Sequence, residues 1–297
     1  LTQNIVDGLL EAEKPAPIFF ASSTQADHDN PYGKSKAEAE AVLLGYSEKT
    51  GNAVTICRLP NVFGKWCKPN YNSFVATFCH NIANDIPINI HDSSAPVTLV
   101  YVDDVCRCLL QMLGSETKER FVEIDVVYGT TVGEVADLIH TFKASRDNLE
   151  TEAVGKSLTR ALYSTYLSYL APDQFHYDIP SYTDERGTFA EMLKTKDSGQ
   201  ISFFTAHKGV TRGGHYHHTK NEKFLVIKGR ARFCFKHVQT AETYELFTSS
   251  DKYQIVETVP GWSHDITNVG DDEMLVMLWA NEVFDRDHPD TIAMETK

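Results

Sequence analysis

Residues 209–229 read GVTRGGHYHHTKNEKFLVIKG, and a second motif, GWSHDITN, follows at residues 261–268. In an extended strand, side chains two residues apart point to the same face, so His215 and His217 can aim both imidazole rings inward. Tyr216 between them then faces the other way. The spacing therefore predicts a pair of ligands on one strand.

Glu222 and His264 complete the set of candidate ligands. Glu222 begins an apolar run that predicts a return strand, and His264 follows a Pro-Gly turn of another hairpin. Imidazole and carboxylate donors suit zinc, iron, nickel or manganese, and the absence of a Cys ligand argues against a purely structural zinc. We therefore expect Zn²⁺ or another divalent metal, bound by His215, His217, Glu222 and His264.

A basic, His-rich surface loop is the alternative reading of the same stretch, because His218, Lys220 and Lys223 lie close to the candidate ligands. A chance cluster would not be expected to bring the downstream Gly-x2-His-x3-Asn motif with it. The second motif therefore favours the metal site, and His218, which breaks the alternation, is expected to face solvent or to lie behind the ligands.

The length and composition of the chain indicate which classes of protein it can belong to. The chain has 297 residues and 42% hydrophobic residues, enough for two domains with separate cores. It has no long uninterrupted apolar stretch and does not begin as a signal peptide, so we expect a soluble, cytoplasmic protein without membrane insertion. The net charge of -13 weighs against nucleic acid as a partner, and six cysteines without a Cys-x2-Cys pair fit reduced thiols.

The pattern of predicted helices and strands changes near residue 170. Before it, helical and strand patterns alternate, as in a parallel sheet with crossover helices: helices over residues 3–13 and 32–49, and strands over 18–21 and 54–59. After it, short strands separated by turns are predicted over residues 201–206, 224–227, 231–235, 243–247, 254–259 and 274–279. The prediction is an α/β domain over residues 1–172, followed by an all-β domain over residues 173–297.

A second constellation lies in the first domain. Tyr32 and Lys36 are four residues apart at the start of a predicted helix, so they share one face. A phenol is a poor acid or base at neutral pH, and a neighbouring ammonium helps by stabilising the phenolate. Ser23 ends a predicted parallel strand, where open α/β sheets bind ligands, and can hydrogen-bond a carbonyl oxygen. Taken alone, Tyr-x3-Lys also arises by chance as a solvated Lys beside a Tyr.

Both constellations resemble known families. The His–Glu motifs are similar to those of the cupin superfamily, with one departure, since Pro260 is adjacent to Gly261 instead of two residues before it. The first domain resembles the extended short-chain dehydrogenases/reductases (SDR), through Ser23, the Tyr-Gly-x-Ser-Lys helix and the run RLPNVFG (residues 58–64). The resemblance implies a truncated Rossmann-like sheet followed by a cupin β-barrel.

The SDR resemblance also implies roles for single residues. Tyr32 is implied as catalytic acid/base, Lys36 as its partner and as a ligand of the nicotinamide ribose, and Ser23 as the group that orients a substrate carbonyl, with Thr24 as the alternative. Asn61 matches a position that contacts sugar-nucleotide substrates. The Gly-x2-Gly-x2-Gly turn for the cofactor pyrophosphate does not occur in this sequence. We therefore expect the amino-terminal part of the dinucleotide fold to be absent.

The order of the two domains, with DERGTFAE (residues 184–191) between the motifs, resembles a family of bifunctional capsular polysaccharide enzymes. That resemblance implies metal-dependent epimerisation at C3 of a UDP-2-acetamido-2,6-dideoxy-4-keto-hexose in the cupin. Reduction of the 4-keto group with NADPH in the SDR domain would follow, towards UDP-N-acetyl-L-fucosamine. A homodimer is expected, because cupin barrels often pair through sheet edges.

Three points stay open in the sequence. The base of the epimerisation could be His218, Lys223 or Tyr216. The chain could instead be a non-catalytic sensor of cofactor and sugar nucleotide with a metal-binding cupin, although an acid/base pair such as Tyr32 and Lys36 has no purpose in a sensor. It could also be an enzyme in which only the cupin works, with the first domain as an oligomerisation platform.

Overall fold

The computed structural model describes residues 1–13, 15–113, 120–179, 181–184, 187–190, 192–195, 199–282 and 287–297. The chain forms two compact units. The first unit comprises Leu1–Phe63 and Pro96–Thr131, and the second comprises Gly64–Ala95 and Val132–Lys297. The domain boundary that the sequence predicts between residues 172 and 173 stays a prediction. Residues 185, 186 and 191 of the DERGTFAE run lie outside the described residues.

Helices and strands alternate up to about residue 170, as predicted. The elements are α1 (Thr2–Glu11), β1 (Ile18–Ser23), α2 (Pro31–Thr50), β2 (Val54–Leu59), β3 (Asn61–Phe63), α3 (Phe74–Ala83), β4 (Pro96–Tyr101), α4 (Val102–Leu113), β5 (Phe121–Val122), β6 (Tyr128–Thr131), α5 (Val132–Asn148), β7 (Glu150–Thr151) and α6 (Ser157–Leu167).

The first unit contains a parallel sheet of three strands in the order β1-β2-β5, and a second sheet in the order β3-β4-β6. Helix α2 begins where predicted because the Asn30 side chain accepts a hydrogen bond from the Gly33 N–H at 2.8 Å, with Pro31 at the first helical position. It ends at Gly51, whose φ of 72° is left-handed. The α/β prediction for this part of the chain is confirmed.

Strands dominate the remainder, also as predicted. They are β8 (His176–Asp178), β9 (Ser181–Asp184), β10 (Gly187–Ala190), β11 (Lys194–Thr195), β12 (Gln200–Ala206), β13 (Thr211–Tyr216), β14 (Glu222–Lys228), β15 (Arg230–His237), β16 (Thr243–Ser249), β17 (Gln254–Glu257), β18 (Trp262–Asn268), β19 (Met274–Ala280) and β20 (Ile292–Ala293).

Two sheets of five strands face each other in the second unit. Their orders are β12-β19-β14-β17-β8 and β16-β15-β18-β13-β20. Phe224 of the first sheet packs against Phe233 and His264 of the second, with ring centroids 5.7 and 6.1 Å apart. The alternation of side chains along each strand therefore fills a shared interior, as the all-β prediction requires.

Two local differences from the sequence predictions concern candidate site residues. Asn61 begins the short strand β3, which was not predicted, and His264 lies in β18, for which a hairpin but no strand bounds was predicted. The bounds of β18 are hard to predict because the strand is buried along its whole length. Its polar and apolar residues therefore do not alternate. Within the described ranges, no helix is both long enough and apolar enough to cross a membrane.

A buried ion network joins the first of the two sheets to the helix α5. Lys223 follows Glu222 in β14 and therefore leaves the opposite face of the sheet. Its ammonium pairs with one oxygen of Glu257 on β17, and Arg146 of α5 pairs with the other oxygen. Lys223 also donates a hydrogen bond to the Tyr177 hydroxyl at 2.8 Å. Burial favours the neutral amine and would lower the pKa of Lys223. The attraction of the Glu257 carboxylate is stronger than this effect and holds the pKa well above its ordinary value.

Removal of the shared carboxylate is expected to destabilise the second unit. Glu257→Gln should lower the free energy of unfolding by about 3–5 kcal/mol, because two buried cations lose their partner. Lys223→Met should cost less, since Glu257 keeps Arg146. Urea denaturation measures both, with Lys228→Met, an exposed lysine of the same strand, as matched control. A loss for Glu257→Gln no larger than for Lys228→Met would contradict the network's role.

Candidate functional site

His215 and His264 oppose each other on the adjacent antiparallel strands β13 and β18, with ring centroids 4.7 Å apart. The strand register shifts between Gly213 and His215, and Gly213 and Gly214 have φ of 103° and 77°. A Cβ on Gly213 would lie 2.8 Å from the carbonyl oxygen of His264. The glycines of the motif thus permit the bulge and the close approach that bring the two imidazoles together.

His217 lies one residue beyond the end of β13. Its ring centroid is 5.0 Å from that of His215 and 5.4 Å from that of His264. Its Nδ1 hydrogen-bonds the backbone carbonyl of Asp290. Because a carbonyl only accepts, Nδ1 carries a proton, and Nε2 is the atom left for a metal.

Glu222 reaches the three histidines from the opposite sheet, as the first residue of β14. Its Oε2 lies 3.3 Å from Nε2 of His217 and 3.4 Å from Nε2 of His264. One ligand atom from each of the four residues lies within 4.8 Å of the others. Glu222, His217 and His264 are buried and His215 is partly exposed, so the cluster bridges the two sheets and is reached by solvent at His215.

Burial controls the charge of this cluster. Removal from water is the largest cause that lowers the pKa of His215, to about 4, and it also lowers the pKa of His264. Burial alone would raise the pKa of Glu222, but the contacts with His217 and His264 hold it well below its ordinary range. Nε2 of His217 and Oε2 of Glu222 are both basic atoms, and they lie 3.3 Å apart. This approach is favourable only when a proton or a cation lies between them. The four residues therefore fit a divalent metal.

Asp290 is a site residue that the sequence does not reveal. Its carboxylate accepts hydrogen bonds from the backbone N–H groups of His218, Thr219 and Lys220, at 2.9, 2.6 and 2.8 Å. These bonds hold its pKa below the ordinary value although burial opposes the charge. Asp290 lies far from the motifs in the chain, at no characteristic spacing, so no sequence pattern points to it.

Lys220 is the second residue that the sequence analysis missed as part of the site. Its ammonium lies 3.2 Å from Oε1 of Glu222, the oxygen that does not face His217 and His264. Lys220 lies between β13 and β14, outside both strands, so strand alternation does not reveal its position. In the sequence analysis Lys220 appears only in the surface-loop alternative, which the second motif argues against.

The three candidate bases lie in different surroundings. Lys223 points to the other face of β14 and is paired with Glu257, so it does not face the cluster. Tyr216 and His218 pack against each other with ring centroids 5.5 Å apart. The base therefore stays open between groups other than Lys223.

The structure brings Tyr32 and Lys36 together in the first unit. The Lys36 ammonium lies 5.7 Å from the centroid of the Tyr32 ring and donates a hydrogen bond to the Ala21 carbonyl at 3.2 Å. Gly33 between them packs tightly, because a Cβ there would lie 2.1 Å from the Gln25 carbonyl oxygen. The Tyr32 side chain is 54% exposed and thus accessible to a ligand.

Ser23 and Asn61 have structural contacts of their own. The Ser23 hydroxyl accepts a hydrogen bond from the Gln25 N–H at 3.2 Å and caps the 3-10 turn Thr24–Asp27. The Asn61 amide donates to the Thr98 carbonyl at 3.2 Å, across the β3–β4 pair. In the described part of the chain these contacts hold both side chains beside strands, and their roles towards a substrate stay predictions.

Two known families match the two parts of the chain. The NAD dependent epimerase/dehydratase family matches residues 11–124, and the polysaccharide biosynthesis C-terminal domain matches residues 182–292. The Tyr32 and Lys36 pair falls in the first match, and the His–Glu cluster falls in the second.

Relatives with both parts are similar over nearly the whole chain. The UDP-2-acetamido-2,6-β-L-arabino-hexul-4-ose reductase of Pseudomonas aeruginosa is 57% identical over 294 residues, 99% of this chain and 79% of that protein. The crystal structure of the capsular polysaccharide assembling protein CapF from Staphylococcus aureus matches with a TM-score of 0.65 and 42% identity, over 99% of this chain and 82% of that one. A structure of CapF with the inhibitor 3-isopropenyl-tropolone matches with a TM-score of 0.58 and 39% identity, over 98% and 82% of the two chains. The chain belongs to the family of two-part polysaccharide biosynthesis enzymes that includes this UDP-sugar 4-keto reductase and CapF.

Proposed function

We propose that this chain acts twice on a UDP-linked 2-acetamido-2,6-dideoxy-4-keto-hexose. In the first reaction the His–Glu cluster, with its metal, serves epimerisation at C3. In the second, Tyr32 serves NADPH-dependent reduction of the 4-keto group, towards UDP-N-acetyl-L-fucosamine. The observation that carries the proposal is the approach of four ligand atoms to within 4.8 Å of one another. The 57% identity to a reductase of a UDP-linked 4-ulose supports the choice of substrate class.

The cluster suits removal of a proton beside a ketone. Such a proton becomes acidic when the charge that develops on the keto oxygen is stabilised. His215, His217, Glu222 and His264 would hold a divalent ion, which when bound supplies this stabilisation as a Lewis acid. Burial of three of the four ligands excludes water and strengthens the electrostatic interactions of the site. The partly exposed His215 would mark the side from which the sugar enters.

The Tyr32 and Lys36 pair suits the reduction. Tyr32 would give a proton to the keto oxygen, and the Lys36 ammonium would stabilise the phenolate that remains. Both would also hold the nicotinamide ribose, and Ser23 would orient the keto group. NADPH, when bound, supplies the hydride. The position of Ser23, at the end of a parallel strand, is where open α/β sheets bind their ligands.

Metal removal is expected to stop the first reaction. When the zinc-loaded chain is incubated with the 4-keto UDP-sugar in D₂O, deuterium should enter C3, and a chelator or His264→Ala should reduce this to background, because the ion is lost. Nuclear magnetic resonance measures the exchange and elemental analysis measures the zinc. His207→Ala, at an exposed histidine outside the cluster, is the matched control.

Exchange that survives both the chelator and His264→Ala would refute the metal-dependent epimerisation. Absence of exchange, together with absence of NADPH oxidation, would favour the non-catalytic sensor instead.

Tyr32→Phe is expected to separate the two reactions. It should lower the rate of NADPH oxidation by about 10²–10⁴-fold, because the proton donor is lost, and leave deuterium exchange unchanged. The assay follows NADPH absorbance in a preparation in which the unsubstituted protein oxidises NADPH. Tyr71→Phe, at a tyrosine that is 74% exposed, is the control. Loss of both activities in Tyr32→Phe would contradict two independent sites.

A further inference from the structure

We infer that Lys220 is a positioning residue of the metal site, which holds one oxygen of Glu222 so that only the other oxygen is presented to the ion. The inference rests on the proposed metal site and adds to it the way in which the carboxylate is oriented. The two Glu222 oxygens have different partners: Oε1 lies 3.2 Å from the Lys220 ammonium, whereas Oε2 lies 3.3 and 3.4 Å from Nε2 of His217 and His264.

Burial makes this contact stronger than an ordinary surface ion pair. The side chains of Lys220 and Glu222 are only 11% and 6% exposed. A pair so shielded from water is screened little by salt and solvent. Glu222 therefore has a defined orientation, with Oε1 engaged and Oε2 directed at the imidazoles.

The backbone that carries Lys220 is fixed independently. Asp290 accepts hydrogen bonds from the N–H groups of three successive residues that end at Lys220. The next residue, Asn221, donates its backbone N–H to the side chain of Asn281 at 2.9 Å. The same Asp290 fixes the ring of His217 through its carbonyl oxygen. Asp290 thus positions His217 directly, and it also positions Lys220, which orients Glu222.

Loss of the lysine should free the second oxygen. Without the ammonium, Glu222 can offer both oxygens to the ion, which changes the ligand field although the four ligand residues remain. With the ammonium, only Oε2 binds. The distinction concerns the ion's surroundings, so it can be read without measuring catalysis.

Cobalt(II) substitution tests this inference, because its visible spectrum depends on the number and arrangement of ligand atoms. Lys220→Met is expected to change the position and intensity of the cobalt bands, whereas Lys220→Arg should restore the unsubstituted spectrum. Lys228→Met, at an exposed lysine of β14, is the matched control and should leave it unchanged. Lys220→Gln keeps a polar group in the buried site and is expected to change the bands as Lys220→Met does, so a folding defect in one variant does not remove the test.

Spectra that are the same in Lys220→Met, Lys220→Gln and the unsubstituted chain would overturn the role of Lys220 and leave the metal site standing. If the folded, unsubstituted chain binds no cobalt or zinc, the proposed metal site itself fails, and the inference fails with it. The two failures are therefore distinguishable.

Asp290→Ala should weaken the site through the loop. Cobalt affinity is expected to fall by about 10–100-fold, as is common when a group that orients a metal ligand is lost, and the cobalt bands should shift as in Lys220→Met. Competition with a coloured chelator measures the affinity. An affinity within twofold of the unsubstituted chain would contradict the positioning by Asp290.

Discussion

The strand β14 buries two opposite charges in consecutive residues, and the second unit is organised around that fact. Glu222 points into the interior between the two sheets, and Lys223 points to the other face, towards Arg146 of α5. Neither charge could stay buried alone, because the cost of dehydration is recovered only with partners. Three histidines and Lys220 surround the carboxylate, and Glu257 accompanies the amine.

This arrangement separates stability from chemistry. The Lys223, Glu257 and Arg146 network has its charges satisfied within the protein, so its contribution is to hold the helix against the sheet. The Glu222 side of the strand places basic atoms opposite each other, which is unfavourable unless a proton or a cation lies between them. The same strand thus carries a structural ion network on one face and the His–Glu cluster on the other.

In the first unit, close backbone packing positions the Tyr32 and Lys36 pair. Gly33 lets the 3-10 turn after β1 approach the start of α2, the helix that carries Tyr32. Lys36, one helical turn later, returns to the Ala21 carbonyl of β1 and to the face of the Tyr32 ring. Tyr32 is therefore held in an exposed position, with Lys36 half-buried beside it.

The spacing of histidines, glycines and apolar residues was enough to predict both fold classes, most of the strands and the four residues of the His–Glu cluster, because a period of two and turn-forming residues are local properties of a chain. It was not enough to predict the bounds of β18, whose polar and apolar residues do not alternate. Asp290 and the contact of Lys220 with Oε1 of Glu222 belong to the tertiary structure alone. The sequence by itself determined which residues could bind a metal. How those residues are oriented was decided only by the packing of the two sheets and by the distant residue Asp290. Orientation depends on neighbours in space, which no local spacing specifies.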